Sequence, residues 1–143
     1  MDCIFCDIIK KRSKAEIIFE NEKVISFLDI RPVNSGHALV VSKEHFDNFL
    51  TISPESLKEL IVATQFIAGA VKRAVNAEGF NIVSNNGTVA GQTIFHFHFH
   101  IIPRFKNDFH FRFDTKPYNE SSLKESGKSI RQVISKYKDI FHG

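Results

Sequence analysis

The stretch Thr93-Ile94-Phe95-His96-Phe97-His98-Phe99-His100-Ile101-Ile102-Pro103-Arg104 alternates apolar residues with histidines. Because successive side chains of a β-strand point to opposite faces, this alternation predicts a strand over residues 93–102, ended by Pro103. Three histidines then share one face, spaced about 6.6 Å apart along the strand. The expected histidine face comprises His96, His98 and His100. The opposite face, expected against the core, comprises Phe95, Phe97, Phe99 and Ile101.

Three interpretations of the histidine face are open. The first is an ordinary half-buried strand whose polar positions happen to be histidine. The second is a catalytic metal ion chelated by a His-x-His pair. The third is nucleophilic catalysis, because a neutral imidazole that is hydrogen-bonded through one nitrogen presents the other as a nucleophile near neutral pH. Three histidines in alternate register, backed by an aromatic face, favour the third interpretation.

The surrounding sequence predicts four further strands and three helices. A short apolar helix is expected over residues 4–9. A long helix begins at Ser53-Pro54-Glu55, where a capping hydroxyl precedes proline and an acid, and is closed by Gly79. A capping box at Ser122-Leu123-Lys124-Glu125 predicts a final helix, whose apolar stripe comprises Ile130, Val133, Ile134 and Tyr137. The further strands are expected over residues 17–19, 24–28, 37–42 and 80–84.

The order of these elements indicates an α+β fold with a five-stranded antiparallel sheet, a central helix and a C-terminal helix. The length of 143 residues suits one domain over residues 1–143. We expect residues 1–105 to form its core and residues 106–143 to add a loop and the last helix. Within that loop, residues 109–113 alternate phenylalanine with His110 and Arg112, which indicates either a further strand or a flap.

Composition limits the class of protein. The chain is 43% hydrophobic and 24% charged, as is typical of a globular protein. No apolar run approaches the roughly 20 residues of a membrane helix, and no secretory signal is recognisable, so we expect a cytoplasmic protein without membrane contact. The net charge of +3 is small and dispersed. It tolerates phosphate-bearing ligands but does not predict nucleic-acid binding.

Both cysteines lie in Cys3-Ile4-Phe5-Cys6. Two cysteines cannot form the multi-bridge framework of a small secreted domain, so free thiols, a redox couple and half of a metal site are the open interpretations. A redox Cys-x-x-Cys usually follows a strand, and here only Met1-Asp2 precede it. A metal site requires two further ligands.

The heptad His96-Phe97-His98-Phe99-His100-Ile101-Ile102 resembles the His-φ-His-φ-His-φ-φ signature of the histidine triad proteins, which are nucleotidyl hydrolases and transferases. Other segments fall in the order and spacing of that family, so the resemblance covers about residues 1–105. These segments are Cys3-Ile4-Phe5-Cys6, Phe27-Leu28-Asp29-Ile30-Arg31-Pro32, Gly36-His37-Ala38-Leu39-Val40-Val41, Asn85-Asn86-Gly87 and Ala90-Gly91-Gln92.

The resemblance implies a catalytic role for four histidines. His98 would attack the α-phosphorus of a nucleotide and form a covalent nucleotidyl-histidine, which water then hydrolyses. The backbone carbonyl of His96 would fix the tautomer of His98. His100 would hydrogen-bond the phosphate or leaving-group oxygens, and His37 would lie across the same pocket. The related hexose-phosphate uridylyltransferases carry glutamine at the third position, so a histidine there indicates a hydrolase.

The resemblance also implies a purine nucleotide substrate, either a dinucleoside polyphosphate or a nucleoside phosphoramidate. Asp29 would grip the ribose hydroxyls through its two acceptor oxygens, and Asn85, Gln92 and Thr93 would lie at the phosphate. Four apolar residues would sandwich the base, with burial in the core as the ordinary alternative. These residues are Phe5, Ile8, Phe27 and Ile30.

A structural zinc ion and a homodimer complete what the resemblance implies. The zinc-bearing, bacterial-type branch of the family would hold the ion through Cys3, Cys6, His45 and His96 in a closed Cys₂His₂ set. The dimer would join sheets and central helices through the helix over residues 54–75, for which core packing is the ordinary alternative. Two other functions stay possible from the sequence: a non-catalytic nucleotide-binding or sensing protein, and a zinc-dependent hydrolase that uses the histidine strand as its catalytic site.

Overall fold

The computed structural model describes residues 2–108 and 112–137. The chain divides into two compact units, residues 1–108 and residues 109–143. Among the described residues, the first unit contains a sheet with two α-helices, and the second contains one α-helix. A single domain over residues 1–143 stays a prediction.

The first unit is a five-stranded antiparallel sheet with helices against both faces. Its strand order is β1-β2-β3-β5-β4, and every neighbouring pair is antiparallel. This arrangement confirms the predicted fold class. The helices are α1 (Ile4–Ile9) and α2 (Pro54–Ala74), and the strands are β1 (Ile17–Glu20), β2 (Val24–Leu28), β3 (Ala38–Ser42), β4 (Gly79–Val83) and β5 (His98–Arg104).

Helix α2 begins where the sequence predicts. The Ser53 hydroxyl oxygen accepts the amide N–H of Ser56 at 3.2 Å, and proline occupies the first turn. The helix ends at Ala74, before the predicted Gly79, because Asn76 takes a left-handed backbone with a φ of 55°. One side of α2 packs into the main core against the sheet. The buried residues of this side are Leu60, Ala63, Thr64, Ile67, Ala68 and Val71.

Helix α1 covers part of the opposite face of the sheet. It has six residues, too few for an isolated helix to be stable in water. Two side chains, Phe5 and Ile8, anchor it because both are buried in a second apolar cluster. The sheet residues of this cluster are Ile25, Phe27, Leu39 and Val41. The two faces of the sheet therefore have separate cores.

Strand β5 starts later than predicted. It covers His98–Arg104, whereas residues 93–97 are irregular. Strand β3 ends one residue beyond its pairing with His98, so it offers no partner to the preceding segment. The amide of Phe97 donates instead to the carbonyl of Phe46 at 2.6 Å. The period of two in the sequence therefore extends beyond the strand, whose pairing with β3 begins only at His98.

Two side chains differ from the predicted faces as a result. His96 precedes the strand, so the prediction that it shares a strand face with His98 and His100 is wrong. Phe95 is 46% exposed, so the prediction that it faces the core is also wrong. The other predicted core residues of the segment are buried: Phe97, Phe99 and Ile101.

Pro103 lies inside β5 and does not end it. Its carbonyl oxygen accepts a hydrogen bond from the side-chain amide of Asn34 at 2.9 Å. The nitrogen and the carbonyl of one strand residue point to the same side, so the proline nitrogen faces away from β4. The missing N–H therefore breaks no hydrogen bond between β4 and β5.

The second unit contains α3 (Glu120–Tyr137). The side chain of Asn119 accepts the amide N–H of Ser122 at 3.0 Å, so the predicted capping box at residues 122–125 is wrong and the helix begins earlier. Residues 112–119 are irregular, as predicted, while the alternation over residues 109–111 lies outside the described residues. Within the described ranges, no helix has the length and apolarity to cross a membrane. The predicted apolar stripe lies on α3, each residue more than half exposed: Ile130, Val133, Ile134 and Tyr137.

Candidate active site and metal cluster

A cavity of about 490 Å³ lies beside α1. Helix α1, β2 and β3 give it apolar walls, and His98, His100 and the loop over residues 85–93 give it a polar end. The volume is in the range of small-ligand pockets. All eight residues predicted to contact a nucleotide line it: Phe5, Ile8, Phe27, Asp29, Ile30, Asn85, Gln92 and Thr93.

The imidazole of His98 has one committed nitrogen and one uncommitted nitrogen. Its Nδ1 lies 2.6 Å from the backbone carbonyl oxygen of His96, so Nδ1–H donates to that oxygen. The Nε2 lone pair is then left for the cavity that His98 lines. Phe5 packs edge-on against the imidazole, with 5.0 Å between ring centroids. Burial lowers the pKa of His98 against the opposing effects of the His96 carbonyl and Asp29, which favours the neutral, nucleophilic form.

A chain of hydrogen bonds fixes the tautomers of His37 and His100. The amide N–H of Val33 donates to Nδ1 of His37 at 3.0 Å. A neutral His37 therefore carries its proton on Nε2, which lies 2.9 Å from Nδ1 of His100. Because His100 accepts at Nδ1, its own proton is on Nε2. This series of hydrogen bonds therefore leaves the Nε2–H of His100 as a donor at the cavity that His100 lines.

Burial keeps this pair neutral. It lowers the pKa of His37, which is 4% exposed, while the carboxylate of Asp29 opposes the shift. Burial, with the neighbouring His98 and His37, lowers the pKa of His100 to about 4. Both imidazoles are therefore uncharged hydrogen-bonding groups near neutral pH.

Asp29 is the only carboxylate among the described residues that line the cavity. One of its oxygens accepts the amide N–H of Arg31 at 2.8 Å. The other oxygen lies 3.5 Å from Nε2 of His37 and 4.0 Å from Nδ1 of His100. The carboxylate retains lone pairs for further donors, such as the hydroxyls of a sugar.

Gln92 is buried, and its side-chain amide holds the loop that carries it. Its Oε1 accepts the amide N–H of Gly87 at 2.9 Å. Its Nε2 donates to the carbonyls of Asp47 at 2.7 Å and Ile94 at 3.2 Å. Both amide hydrogens are therefore in use, and a phosphate contact through them would break one of these bonds. Gln92 shapes the cavity wall by holding the loop.

The four predicted metal ligands converge next to this cavity. Nδ1 of His96 lies 3.4 Å from Sγ of Cys3 and 3.5 Å from Sγ of Cys6. Nδ1 of His45 lies 3.3 Å from Sγ of Cys6. All four ligand atoms lie within 4.8 Å of one another. We refer to these four residues as the Cys/His cluster.

The Cys/His cluster fits a tetrahedral zinc ion. Zinc–nitrogen and zinc–sulfur bonds of about 2.0–2.3 Å separate tetrahedral neighbours by about 3.3–3.8 Å, which matches the contacts above. The outer nitrogen of each imidazole is held: Nε2 of His96 donates to the Ser42 carbonyl at 2.7 Å, and Nε2 of His45 lies 3.2 Å from Oδ1 of Asp47. This orients Nδ1 of each ring toward the centre. Four protein ligands close the shell, so the site suits a structural ion.

A second group of potential ligands comprises Asp29, His37 and His100. It does not fit a metal ion, because the amide of Val33 occupies Nδ1 of His37 and leaves a proton on Nε2. A nitrogen that carries a proton has no lone pair for a metal. This group is therefore a hydrogen-bonding network.

Sequence reasoning missed several parts of the site. The Val33 amide and the Ser42 carbonyl are backbone groups, and no residue type marks them. Ile4 could have been found, since it precedes Ile8 by one helical turn. The other unpredicted residues that line the cavity are Lys14, Ala15, Leu28, Arg31, Leu39, Gly91 and Ile94.

Comparison with known proteins agrees with this geometry. The model of the HIT domain family matches residues 10–107, and the chain therefore belongs to the HIT, or histidine triad, family. It is 39% identical over 138 residues to an uncharacterized HIT-like protein of Saccharolobus solfataricus, covering 96% of this chain and 99% of the other. It is 33% identical over 136 residues to the adenosine 5′-monophosphoramidase of Schizosaccharomyces pombe, and the match covers 94% of this chain and 99% of that protein. A zinc-bound histidine triad family protein from Mycobacterium smegmatis shares the fold with a TM-score of 0.72 and 35% identity, covering 94% and 97%.

Proposed function

We propose that this protein is a nucleotidyl hydrolase that cleaves the α-phosphate linkage of purine nucleotide derivatives through a covalent intermediate on His98. The substrates are dinucleoside polyphosphates or nucleoside phosphoramidates, and the product is a nucleoside monophosphate. The observation that carries the proposal is the 2.6 Å hydrogen bond from His98 Nδ1 to the His96 carbonyl. It leaves Nε2 unprotonated beside a cavity of nucleotide size.

In the first step, Nε2 of His98 attacks the α-phosphorus, and the bond from phosphorus to the leaving group breaks with its electron pair. The Nε2–H of His100 donates a hydrogen bond to the leaving group and keeps its proton. A phosphate departs as an anion, whereas an amine takes a proton from solvent. His98 keeps its Nδ1 proton and becomes a positively charged nucleotidyl-imidazolium. The His96 carbonyl stabilises this charge through the existing hydrogen bond.

In the second step, water attacks the same phosphorus. The phosphorus–nitrogen bond breaks, and its electron pair returns to Nε2 of His98. The proton lost by the water goes to solvent, while His100 keeps its Nε2 proton and donates a hydrogen bond to a phosphate oxygen. The nucleoside monophosphate then leaves, and both histidines are in their starting tautomers.

The remaining cavity residues would bind the nucleoside. Asp29 would accept hydrogen bonds from the ribose hydroxyls. The buried rings of Phe5 and Phe27 would contact the base together with Ile8, while Ile30, which is 92% exposed, would gain burial when a base is bound. Asn85 and Thr93 line the polar end of the cavity and would contact the phosphate.

The phosphoramidase activity named for the fission-yeast relative supports cleavage of a phosphorus–nitrogen bond. The sensing alternative instead requires nucleotide binding without turnover. The zinc-dependent alternative requires a metal ion at His98 or His100, but in the described part of the chain His98 belongs to no group of potential metal ligands and the group with His100 does not fit an ion. These observations favour the nucleophilic mechanism. A cytoplasmic location and the absence of nucleic-acid and membrane partners stay predictions.

The test is the release of AMP from adenosine 5′-phosphoramidate and from diadenosine tetraphosphate, measured by chromatography. We expect His98→Ala to lower the rate about 10³-fold or more, as expected for loss of a nucleophile, while AMP still binds. Phe95→Ala, on the same segment but exposed, is the control and should retain activity. AMP binding by the wild-type protein without any turnover would favour the sensing alternative.

We also propose that the Cys/His cluster holds a structural zinc ion, as the zinc-bearing branch of the family would. The zinc-bound M. smegmatis relative supports this, together with the tetrahedral contact distances. When bound, zinc would tie α1 and His45 to His96 and supply no step of the reaction.

We further propose a homodimer formed through α2 and β4. Strand β4 is the last strand of the sheet, and its outer edge has no partner strand among the described residues. An apolar groove of about 400 Å³ lies between the strand and the helix. A second copy that pairs edge to edge would cover this apolar surface. The large apolar residues that line the groove, each at least 40% exposed, are Ile61, Val62, Phe80 and Ile82.

A further inference from the structure

Helix α1 contributes to the Cys/His cluster and to the cavity at the same time. Cys3 caps its first turn, where Sγ lies 3.4 Å from the amide of Cys6, and both thiols belong to the cluster. Phe5, between them, lines the cavity. Its ring centroid lies 5.9 Å from that of His96 and 5.0 Å from that of His98. One aromatic ring therefore touches a cluster histidine and the nucleophile.

His96 joins the two sites a second time, through its backbone. Its Nδ1 faces the two cysteine sulfurs, and its carbonyl oxygen accepts the Nδ1–H of His98. The residue is fully buried and is fixed on its other side by the Ser42 carbonyl. A displacement of the whole His96 residue toward or away from the cysteines would therefore move the acceptor that sets the tautomer of His98.

Helix α1 has few attachments besides these. It is too short to be stable alone, and its two buried side chains, Phe5 and Ile8, belong to the smaller core cluster. The main core between α2 and the sheet contains no residue of α1. Loss of the cluster contacts would therefore loosen α1 and the cavity wall, while the main core stays folded.

We propose that metal binding at the Cys/His cluster and nucleotide binding in the cavity are thermodynamically linked, with Phe5 as the positioning residue between them. This inference rests on the proposed nucleotide site and zinc site. Each ligand favours the state in which α1 is docked, so each strengthens the binding of the other. Thermodynamic linkage requires the factor by which zinc tightens nucleotide binding to equal the factor by which the nucleotide tightens zinc binding.

The experiment measures binding, so it does not depend on turnover. AMP affinity is measured by calorimetry for the zinc-loaded protein and for protein stripped with a chelator. Zinc affinity is measured by competition with a chromophoric chelator, with and without saturating AMP, against a blank that contains AMP and no protein. We expect zinc to tighten AMP binding about tenfold, and AMP to tighten zinc binding by the same factor. Circular dichroism should show that the stripped protein keeps its sheet.

Two apolar variants of the cavity wall separate linkage from ordinary contact with the ligand. Phe5→Leu keeps an apolar side chain on α1 but loses the ring contacts with both histidines. We expect it to reduce the linkage factor to about twofold or less. Ile30→Ala, on the loop after β2, removes a wall residue that is not on α1. It should weaken AMP binding equally with and without zinc and leave the linkage factor unchanged.

The outcomes are distinct. If AMP binds neither form, the proposed nucleotide site is wrong, and if zinc does not bind, the zinc site is wrong. Equal AMP affinity in the two forms would overturn the linkage alone. Global unfolding of the stripped protein would overturn the local mechanism, since α1 would then not move independently of the main core. If Phe5→Leu kept the linkage factor of the wild-type protein, Phe5 would not be the positioning residue between the two sites.

Discussion

At the scale of single residues, the chemistry of the site depends on which nitrogen of each histidine carries the proton. Backbone groups make that choice for three of them. The His96 carbonyl fixes His98, the Val33 amide fixes His37, and the Ser42 carbonyl fixes His96 itself. The motif in the sequence supplies imidazoles at suitable positions, and the fold gives each imidazole one tautomer.

The lowered pKa of His100 predicts a loss of stability in acid. In the unfolded chain this group titrates near pH 6.5, whereas in the folded protein burial beside His98 and His37 lowers its pKa to about 4, with Asp29 opposing the shift. Between these values the unfolded state binds a proton that the folded state does not. Stability is therefore full above pH 6.5 and falls as the pH drops toward 4, by about 2–3 kcal/mol for this group.

Thermal unfolding of the metal-free protein across this pH range tests the prediction. The melting temperature of the wild-type protein should fall below pH 6.5, and the fall should be smaller in His100→Gln, whose amide oxygen can still accept the proton of His37. The same pH dependence in both proteins would show that His100 does not titrate as described.

Individual side chains show how far residue types predict a site. All eight predicted nucleotide contacts line one cavity, but it was the resemblance to the histidine triad family that named them, and residue types alone would not have done so. The structural role of Gln92 could not be predicted, since its partners Asp47 and Gly87 come from two different loops. A local pattern does not report which distant carbonyl or amide is within reach.

At the scale of elements, the sequence predicts strands by alternation, but alternation alone fixes neither the pairing nor the burial of residues 93–97. Residues 93–97 continue the pattern of β5 without a neighbouring strand, and this is why the predicted start was early. The consequence for the site is specific. Outside the strand, the His96 ring turns to the Cys/His cluster, so that one histidine of the triad belongs to that cluster and two line the cavity.

The loop between β2 and β3 positions His37 and depends on Gly36. This glycine has a φ of +88°, and a Cβ there would lie 2.8 Å from Cγ1 of Val75. We predict that Gly36→Ala lowers the free energy of unfolding by about 2 kcal/mol, because both backbone strain and the contact oppose it. Chemical denaturation of the wild-type and Gly36→Ala proteins measures this difference in the free energy of unfolding.

Gly69→Ala in α2 is the matched control, because it has no atom within 4 Å of its added Cβ and no positive φ. Its stability should be unchanged or higher, since alanine favours a helix more than glycine does. Equal stability of Gly36→Ala and Gly69→Ala would show that the turn tolerates a side chain.

At the scale of the whole molecule, the proposed homodimer uses β4, the last strand of the sheet in residues 2–108, and exposed residues of α2. We predict that the wild-type protein sediments as the proposed dimer in analytical ultracentrifugation and that Val62→Glu, at a residue 63% exposed, sediments as a monomer. A charge at the centre of an apolar interface loses its hydration without a partner.

Val89→Glu makes the same change at a fully exposed position of the loop before β5, and it should leave the dimer intact. A monomeric wild-type protein, or a Val62→Glu protein that remains dimeric, would contradict an interface through α2.

Fold class could be predicted from the sequence because capping signals, alternation and turn residues are local. The division into two units and the convergence of Cys3 and Cys6 with His45 on His96 are long-range properties. For the cluster, only the resemblance to a family brought the four residues together before the structure did. No local spacing links residues more than 30 positions apart in the chain.

The central claim is that Nε2 of His98 forms a bond to phosphorus. The direct measurement is intact-mass analysis of the protein mixed with adenosine 5′-phosphoramidate and quenched rapidly without acid, followed by mapping of the modified residue. We predict a transient mass increase of one adenylyl group on His98, and no adduct in His98→Ala. An adduct on another residue, or full-speed hydrolysis by His98→Ala, would contradict it.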